Sequence, residues 1–355
     1  MTSAISEPIK ASVVGATGYL GGEVIRLLLN HPLISLSHLT STSSRGQPLY
    51  AHHPSLRGVT RAVFEEYDAE TVAKDSDVVF CAVPHGAAIG VASELLSLDP
   101  EVKVIDLSAD FRLRDAAAYA AWYGAEHTAP GLLPQAVYGL PELYGDTIGA
   151  TRLVANPGCY PTSAILGLAP LLFHGAIEPK TLIVDSKSGV SGAGRALSAQ
   201  THYPECNESI KAYAVASHRH TPEIEQECSA LCGAPVTITF TPHLVPMNRG
   251  ILTVAYADLA PGADPSSLHG LYESFYARAP FVRVLEEGVL PETRAVRGTN
   301  FCDVQIVTDK RTGRAIAISA IDNLIKGGAG QAVQNCNILY SLPETTGLMA
   351  TGVYL

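Results

Sequence analysis

The chain is poor in charge for its length. Only 16% of its 355 residues are charged, and the formal net charge of −10 is spread without long runs of one sign. It carries neither the basic stripe of a nucleic-acid binder nor a polybasic membrane patch, so an anionic substrate would need a local basic pocket. No apolar stretch reaches the ~20 residues that a bilayer demands, and the start shows no basic segment followed by an apolar run. Membrane and nucleic-acid partners are therefore not expected. The seven cysteines, at 81, 159, 206, 228, 232, 302 and 336, are odd in number and irregular in spacing, which argues for a reducing, cytoplasmic setting. His218 and His220 lie near Cys228 and Cys232, but no further pair completes a zinc spacing, and no metal is expected. What remains is a globular composition, 47% hydrophobic, long enough for two domains.

The first of these opens with an apolar strand candidate, Ile9 to Val14. Gly15-Ala-Thr17-Gly18-Tyr19-Leu20-Gly21 follows, and then a helical pattern (Val24, Ile25, Leu27, Leu28). Strand, glycine turn and helix in this order suit a dinucleotide: glycine lets the backbone turn, approach a pyrophosphate and pack on the strand, and the helix start receives the phosphate charge. The spacing is G-x-x-G-x-x-G, a variant of the usual fingerprint, and its bland alternative is a tight turn. After the next strand candidate, Ile34 to Leu39, no acid is available for a ribose 2′-hydroxyl. The sequence offers Ser41, Ser43, Ser44 and Arg45 instead, hydroxyls and a guanidinium that suit a 2′-phosphate and point to NADP(H).

Two further apolar runs, Asp77 to Val83 and Val102 to Ser108, read as central strands of a parallel sheet. They deliver Pro84-His85-Gly86 and Ala109-Asp110-Phe111-Arg112 to one edge. Pro84 and His85 then belong near the cofactor, and Arg112 is either an anchor for an acyl phosphate or carboxylate, or a solvated surface arginine.

Ala155-Asn156-Pro157-Gly158-Cys159-Tyr160-Pro161 ends an apolar run and opens another, placing Cys159 at or just before a helix start. Unpaired N–H groups and the positive end of a helix dipole favour a thiolate there, although most free cysteines are simply small buried hydrophobes. Beyond it the texture changes. Val236 to Thr241, Ile251 to Leu259, Phe301 to Thr308 and Arg314 to Asp322 are strand-like, and Pro265 to Arg278 reads as a helix. A mainly antiparallel sheet is expected, with a boundary near 150 to 158 and a cleft between the two domains as the ligand site. Lys187 to Arg195, after a strand over Thr181 to Asp185, reads as a glycine-dense loop that brings Ser188, Gly189 and Gly192 near a flat ligand such as nicotinamide. Ser217-His218-Arg219-His220 supplies imidazoles suited to moving a proton, and Asn323 offers an amide for a carboxamide. Gly327 to Gly330 reads as a loop before a last helix.

A reactive thiol, an imidazole, a hydride carrier and a basic anion site together ask for aldehyde-level chemistry through a thioester. Five motifs carry a resemblance: Gly15 to Gly21, Asp106-Leu-Ser-Ala-Asp110-Phe-Arg112, Asn156-Pro-Gly-Cys159-Tyr-Pro, His218-Arg-His220-Thr-Pro-Glu223 and Asn323-Leu-Ile-Lys-Gly-Gly-Ala-Gly-Gln331. On these the chain resembles the N-acetyl-γ-glutamyl-phosphate reductases, arginine-pathway relatives of the aspartate-semialdehyde dehydrogenases. The resemblance implies an α/β Rossmann-like NADP-binding domain over 1–155, completed by a C-terminal helix within 327–355. It implies an α+β catalytic and oligomerisation domain over 156–326, and a homo-oligomer, dimer or tetramer. It also implies reduction of N-acetyl-γ-glutamyl phosphate by NADPH to the 5-semialdehyde with release of phosphate. One departure stands out: where the aspartate-semialdehyde relatives place an arginine, any residue, then histidine, this chain reads Arg249-Gly-Ile251. The proton-transfer group is then expected from His218 first, or His220, with Cys159 as nucleophile, Arg112 and more weakly Arg249 as phosphate anchors, and Asn156 orienting the small-molecule substrate. The competing readings are a reductase of another acyl phosphate such as aspartyl phosphate, a non-catalytic NADP-sensing protein, and a cysteine acyl-transferase or hydrolase without redox chemistry.

Overall fold

The structure, a computed structural model, describes residues 7–354. It divides into two units: one runs to Pro157 and resumes over Gly328–Ala350, and the other comprises Gly158–Gly327 with the chain from Thr351.

In the first unit strands and helices alternate: β1 (Ile9–Val14), α1 (Tyr19–Leu29), β2 (Ile34–Thr40), α2 (Ala69–Asp75), β3 (Val78–Cys81), α3 (Ala88–Leu98), β4 (Lys103–Asp106), α4 (Ala116–Tyr123), β5 (Ala136–Tyr138), α5 (Pro141–Ile148) and β6 (Leu153–Ala155). The strands form one sheet in the order β2-β1-β3-β4-β6-β5, every pair parallel. All four residues of β3 are buried, as a central parallel strand covered on both faces requires, which is why it reads as an unbroken apolar run. The strand order reverses between β1 and β3, so the loops leaving their carboxyl ends flank the point where such sheets bind ligands. The helix Gly330–Leu339 belongs to this unit, and its Asn335 donates to Gly139 O at 2.9 Å and to Asn156 Oδ1 at 3.1 Å.

The second unit holds α6 (Cys159–Phe173), β7 (Ile183–Gly189), α7 (Tyr203–Cys206), β8 (Lys211–Ala212), α8 (Thr221–Cys232), β9 (Thr239–Val245), β10 (Ile251–Asp258), α9 (Leu268–Tyr276), β11 (Val282–Val284), α10 (Thr293–Val296), β12 (Cys302–Asp309) and β13 (Arg314–Ile321). Its seven strands run in the order β11-β12-β13-β10-β7-β9-β8; β11·β12 and β7·β9 are parallel and the other four pairs antiparallel. Along β10 the buried Ile251, Thr253, Ala255 and Ala257 alternate with half-buried Leu252, Val254, Tyr256 and Asp258. One face of the strand is therefore packed. Every residue of α6 from Tyr160 to Leu172 is buried, so this helix is apolar all round and fixed along its length. Hydroxyls join it to the sheet: Ser163 Oγ donates to Thr253 Oγ1 at 2.9 Å and lies 2.8 Å from Ser319 Oγ, while Ser186 Oγ is 2.8 Å from Thr253 Oγ1.

Three stretches differ from the expectations. The strand expected over Val236 to Thr241 begins at Thr239, because the Val236 and Ile238 N–H groups are taken by Ser229 Oγ and Glu225 Oε1 of α8. Lys187 to Gly189 are strand, not loop, because β7 is paired on both sides, by β10 and β9. Gly327 to Gly330 are helical: Ile325–Ala329 is a π-helical turn that runs into the last helix, and the carboxylate of Asp322 satisfies the N–H groups that open it, those of Leu324 and Ile325, at 2.8 and 3.1 Å.

The hydroxyl cluster makes a prediction. Thr253→Val removes the shared partner of Ser163 and Ser186 without changing shape, leaving buried hydroxyls under-bonded at a cost of about 1–3 kcal/mol. Urea unfolding should show a lower midpoint at unchanged slope; a loss below ~0.5 kcal/mol would mean that the cluster contributes nothing to seating α6.

Candidate active site

Cys159 is the first residue of α6, with Gly158 as an N-cap that offers no side chain and Pro161 inside the first turn. The sulfur thus sits at the positive end of a fifteen-residue helix, where N–H groups lack intrahelical partners and negative charge is favoured. The Gly158 N–H is itself held: it donates to Glu223 Oε1 at 2.8 Å, from a carboxylate only 1% exposed in the first turn of α8. Glu223 therefore registers one helix start against another. Sequence reasoning noted this residue only within a motif, because a glutamate in a first turn ordinarily serves its own helix.

His218 and His220 stand just ahead of α8, their rings 4.8 Å apart. His218 is enclosed by the edges and faces of Tyr160, Tyr213 and Phe240 at 5.4, 5.5 and 5.4 Å. This burial, helped by the Arg219 charge, pushes its pKa down to about 4. The imidazole is neutral at pH 7. The His220 N–H donates to His218 Nδ1 at 3.1 Å, so the proton of the neutral ring resides on Nε2, which is then a hydrogen-bond donor. Tyr213 Oη donates to Tyr160 Oη at 3.0 Å, and Tyr160 Oη to His243 O at 3.2 Å. Burial raises both phenols, Tyr213 to about 12, so they are donors and not anions. These tyrosines were not singled out in the sequence, where an aromatic beside a cysteine carries no signal of its own.

In the first unit the three glycines after β1 divide their tasks. Gly15 has φ +85°, and a Cβ there would lie 2.5 Å from Ala82 O; one at Gly21 would lie 2.8 Å from Gly15 O. Both are required by the fold itself. Gly18 has φ −70° and caps α1 without a side-chain hydrogen bond, and a Cβ there would meet nothing nearer than 4.0 Å. Packing gives no reason for this glycine; a bare backbone at a helix start fits the close approach of a dinucleotide's pyrophosphate. Thr17 lies in the same loop, and Tyr19 is 40% exposed. Downstream of β2, Ser44 Oγ is 2.9 Å from His52 Nε2, Ser43 and Arg45 are exposed, and Arg45 pairs with Glu66. Ser41 is buried, its N–H on Glu65 O at 2.9 Å. His85 is exposed beside Pro84, its Nδ1 accepting from the Ala109 N–H at 3.0 Å.

Other expected site residues have duties inside their own unit. Arg112, 6% exposed, donates from Nε to Asn156 O at 2.7 Å and from Nη2 to Leu107 O at 3.1 Å. The Asn156 amide is engaged at both ends, with Gly328 O and Asn335 Nδ2, each at 3.1 Å. In the second unit Gly189 packs against the Asn248–Arg249 backbone, where a Cβ would come within 2.8 Å, and one at Gly192 would lie 3.0 Å from Ser188 Oγ. Ser188 Oγ donates to Gly189 O at 3.0 Å. Asn323 accepts from the Gly250 N–H at 2.8 Å and donates to Ser191 Oγ at 3.0 Å. Arg249 keeps 24% of its side chain exposed and pairs through Nε with fully buried Asp322 at 3.3 Å. Among the described residues no group of three or more His, Cys, Asp or Glu is arranged to hold a metal ion.

Comparison with known proteins decides the family. Residues 10–151 match the semialdehyde dehydrogenase NAD binding domain, and residues 159–323 the semialdehyde dehydrogenase dimerisation domain. N-acetyl-gamma-glutamyl-phosphate reductases of Desulforamulus reducens and Desulforudis audaxviator are 53% and 52% identical over 346 residues, 98% of this chain and 99% of theirs. The chain belongs to the N-acetyl-gamma-glutamyl-phosphate reductase family. Among solved structures, aspartate semialdehyde dehydrogenase II of Vibrio cholerae, complexed with ASA, has a TM-score of 0.70 at 16% identity, covering 95% of this chain and 99% of that one. The Candida albicans aspartate semialdehyde dehydrogenase with NADP has a TM-score of 0.71 at 16% identity, with 94% and 99% covered. These two support the fold: a parallel NAD(P)-binding sheet and a mixed, mostly antiparallel second sheet.

The depressed His218 pKa fixes a pH dependence. Its folded value lies below the unfolded ~6.5, so protonation favours unfolding: the stability that neutral His218 confers is complete above pH ~6.5 and is lost as pH falls from there towards 4. Between pH 7 and pH 5 wild-type protein should lose about 1–2 kcal/mol more than His218→Asn, read from denaturant midpoints. Equal losses would show that His218 is not held neutral by its surroundings.

Proposed function

We infer that this chain catalyses the NADPH-dependent reduction of N-acetyl-γ-glutamyl phosphate to N-acetyl-L-glutamate 5-semialdehyde with release of phosphate, a step of arginine biosynthesis. The observation that carries this reading is Cys159 at the start of α6, whose neighbour Tyr160 packs its ring against both His218 and His220, in a chain over half identical to named reductases along nearly its whole length.

The chemistry follows from the donors present. Cys159 thiolate attacks the acyl carbon, forming the C–S bond as the bond to phosphate breaks, and phosphate leaves with the electron pair. N–H groups at the α6 start and His218 Nε2–H suit the oxyanion that develops. The Gly15 to Gly21 loop would hold NADPH, with Ser41, Ser43, Ser44 and Arg45 to meet its 2′-phosphate, and the bound cofactor would supply a hydride. The carbon that receives it carries a thiohemiacetal oxyanion. Collapse of that oxyanion re-forms the carbonyl and expels the thiolate, so His218 need only donate a hydrogen bond, which its neutral Nε2–H form allows. Of the arginines, Arg249 is the better candidate for the phosphate, because the Arg112 guanidinium is buried against carbonyls. We also propose a homo-oligomer, dimer or tetramer, in keeping with the dimerisation-domain match. A reducing, cytoplasmic setting accords with seven unbridged cysteines; no helix among the described residues is long and apolar enough to cross a membrane.

In the reverse direction, N-acetylglutamate semialdehyde with phosphate should reduce NADP, while aspartate semialdehyde should be at least a hundredfold poorer. Cys159→Ser should bind NADPH normally and lose more than a thousandfold in rate; near-normal turnover would exclude covalent catalysis by this sulfur. Arg45→Asp should weaken NADPH at least tenfold and NADH less than twofold by fluorescence titration, whereas equal losses would remove Arg45 from the 2′-phosphate site.

A further inference from the structure

Asp322 lies just beyond β13, fully buried, and is not part of the chemistry above. Its carboxylate is nonetheless the meeting point of the second unit. Oδ1 accepts from the Leu324 and Ile325 N–H groups, and Oδ2 from the Gly298 N–H at 2.7 Å. Oδ2 also faces Arg249 Nε at 3.3 Å. Its carbonyl oxygen accepts from the Gly327 N–H at 3.0 Å, the i to i+5 bond that makes the turn π-helical. That turn presses Gly327 onto the nucleophile: a Cβ on Gly327 would lie 2.9 Å from Cys159 Cβ and 3.2 Å from its Cα. One residue therefore meets the partly exposed arginine with its side chain and, with its main chain, shapes the turn that lies against the Cys159 Cα and Cβ.

We propose that Asp322 is a positioning residue that seats the Arg249 guanidinium for the substrate's phosphate, and that Gly327 sets the place of the Cys159 sulfur through the turn Asp322 nucleates. The two effects are separable, since one runs through a carboxylate and the other through a missing Cβ. Asp322→Asn keeps the shape and the main-chain bond to Gly327, but its neutral amide no longer holds a cation. Gly327→Ala leaves the Arg249 pair in place and pushes on Cys159.

The proposal rests on Arg249 meeting phosphate, and steady-state kinetics of the whole enzyme in the reverse direction test it. Asp322→Asn should raise the KM for phosphate about tenfold with the KM for NADP changed less than twofold. Arg249→Gln should do the same, and the double variant should be no worse than Arg249→Gln alone, because Asp322 acts through Arg249. Gly327→Ala should lower the rate of Cys159 alkylation by iodoacetamide and kcat together, at least tenfold, with the KM for phosphate unchanged. Should Asp322→Asn fail to fold, Arg249→Ala with millimolar guanidinium provides the test: the intact Asp322 carboxylate should seat the free cation and restore the KM for phosphate. Additive effects in the double variant, an unchanged KM for phosphate in Asp322→Asn, or no guanidinium rescue would overturn the proposal. Wild-type enzyme inactive with the semialdehyde and phosphate would instead overturn the assigned reaction, before any variant is compared.

Discussion

The burial of α6 is the constraint on which the second unit depends. A helix enclosed from Tyr160 to Leu172 can neither slide nor rotate without opening cavities, each lost side chain costing about 2–5 kcal/mol. Its first residue is therefore held as firmly as its middle. Cys159 inherits that fixity without being buried itself, and Glu223 adds to it by holding the Gly158 N–H. A nucleophile needs its attack geometry kept within a fraction of an ångström, and a buried helix with a half-buried first residue would provide this without a rigid loop.

The same economy governs the imidazole. His218 is packed among aromatic rings, which removes its charge, and the backbone bond from His220 decides which nitrogen keeps the proton. A neutral ring with Nε2–H is a poor general acid but a good partner for an oxyanion, and thioester reduction asks for no more, because the collapsing intermediate returns its electron pair to sulfur. The phenols of Tyr160 and Tyr213, whose rings pack on His218, are donors as well.

Much of this was legible in the chain. The strand, turn and helix around Gly15 to Gly21, the unbroken apolar run of β3 and the place of Cys159 at a helix start each follow from local patterns, and the parallel sheet follows from them. The failures share a cause. Val236 and Ile238 alternate like a strand, yet side chains of α8 reach their N–H groups first. Lys187 to Gly189 looks like a loop because glycine and serine are poor strand formers, but pairing on two sides overrides propensity. Gly327 to Gly330 looks like a flexible loop but is helical, and Gly327 is small so that it can lie against Cys159. Arg112, Asn156 and Asn323 illustrate the limit at the site: sequence tells that a polar group is present, not whether a carbonyl or amide of the same unit already holds it. Asp322 and Glu223 act through tertiary hydrogen bonds between distant segments, for which no local pattern exists.

The central claim is that the acyl group is carried on one sulfur. Mixing the enzyme with N-acetyl-γ-glutamyl phosphate in the absence of NADPH, quenching in acid and mapping peptides by mass spectrometry tests it most directly. The account predicts an N-acetylglutamyl adduct on the peptide containing Cys159 that disappears when NADPH is added before the quench. Phosphate release with no adduct on that peptide at any time point would contradict it.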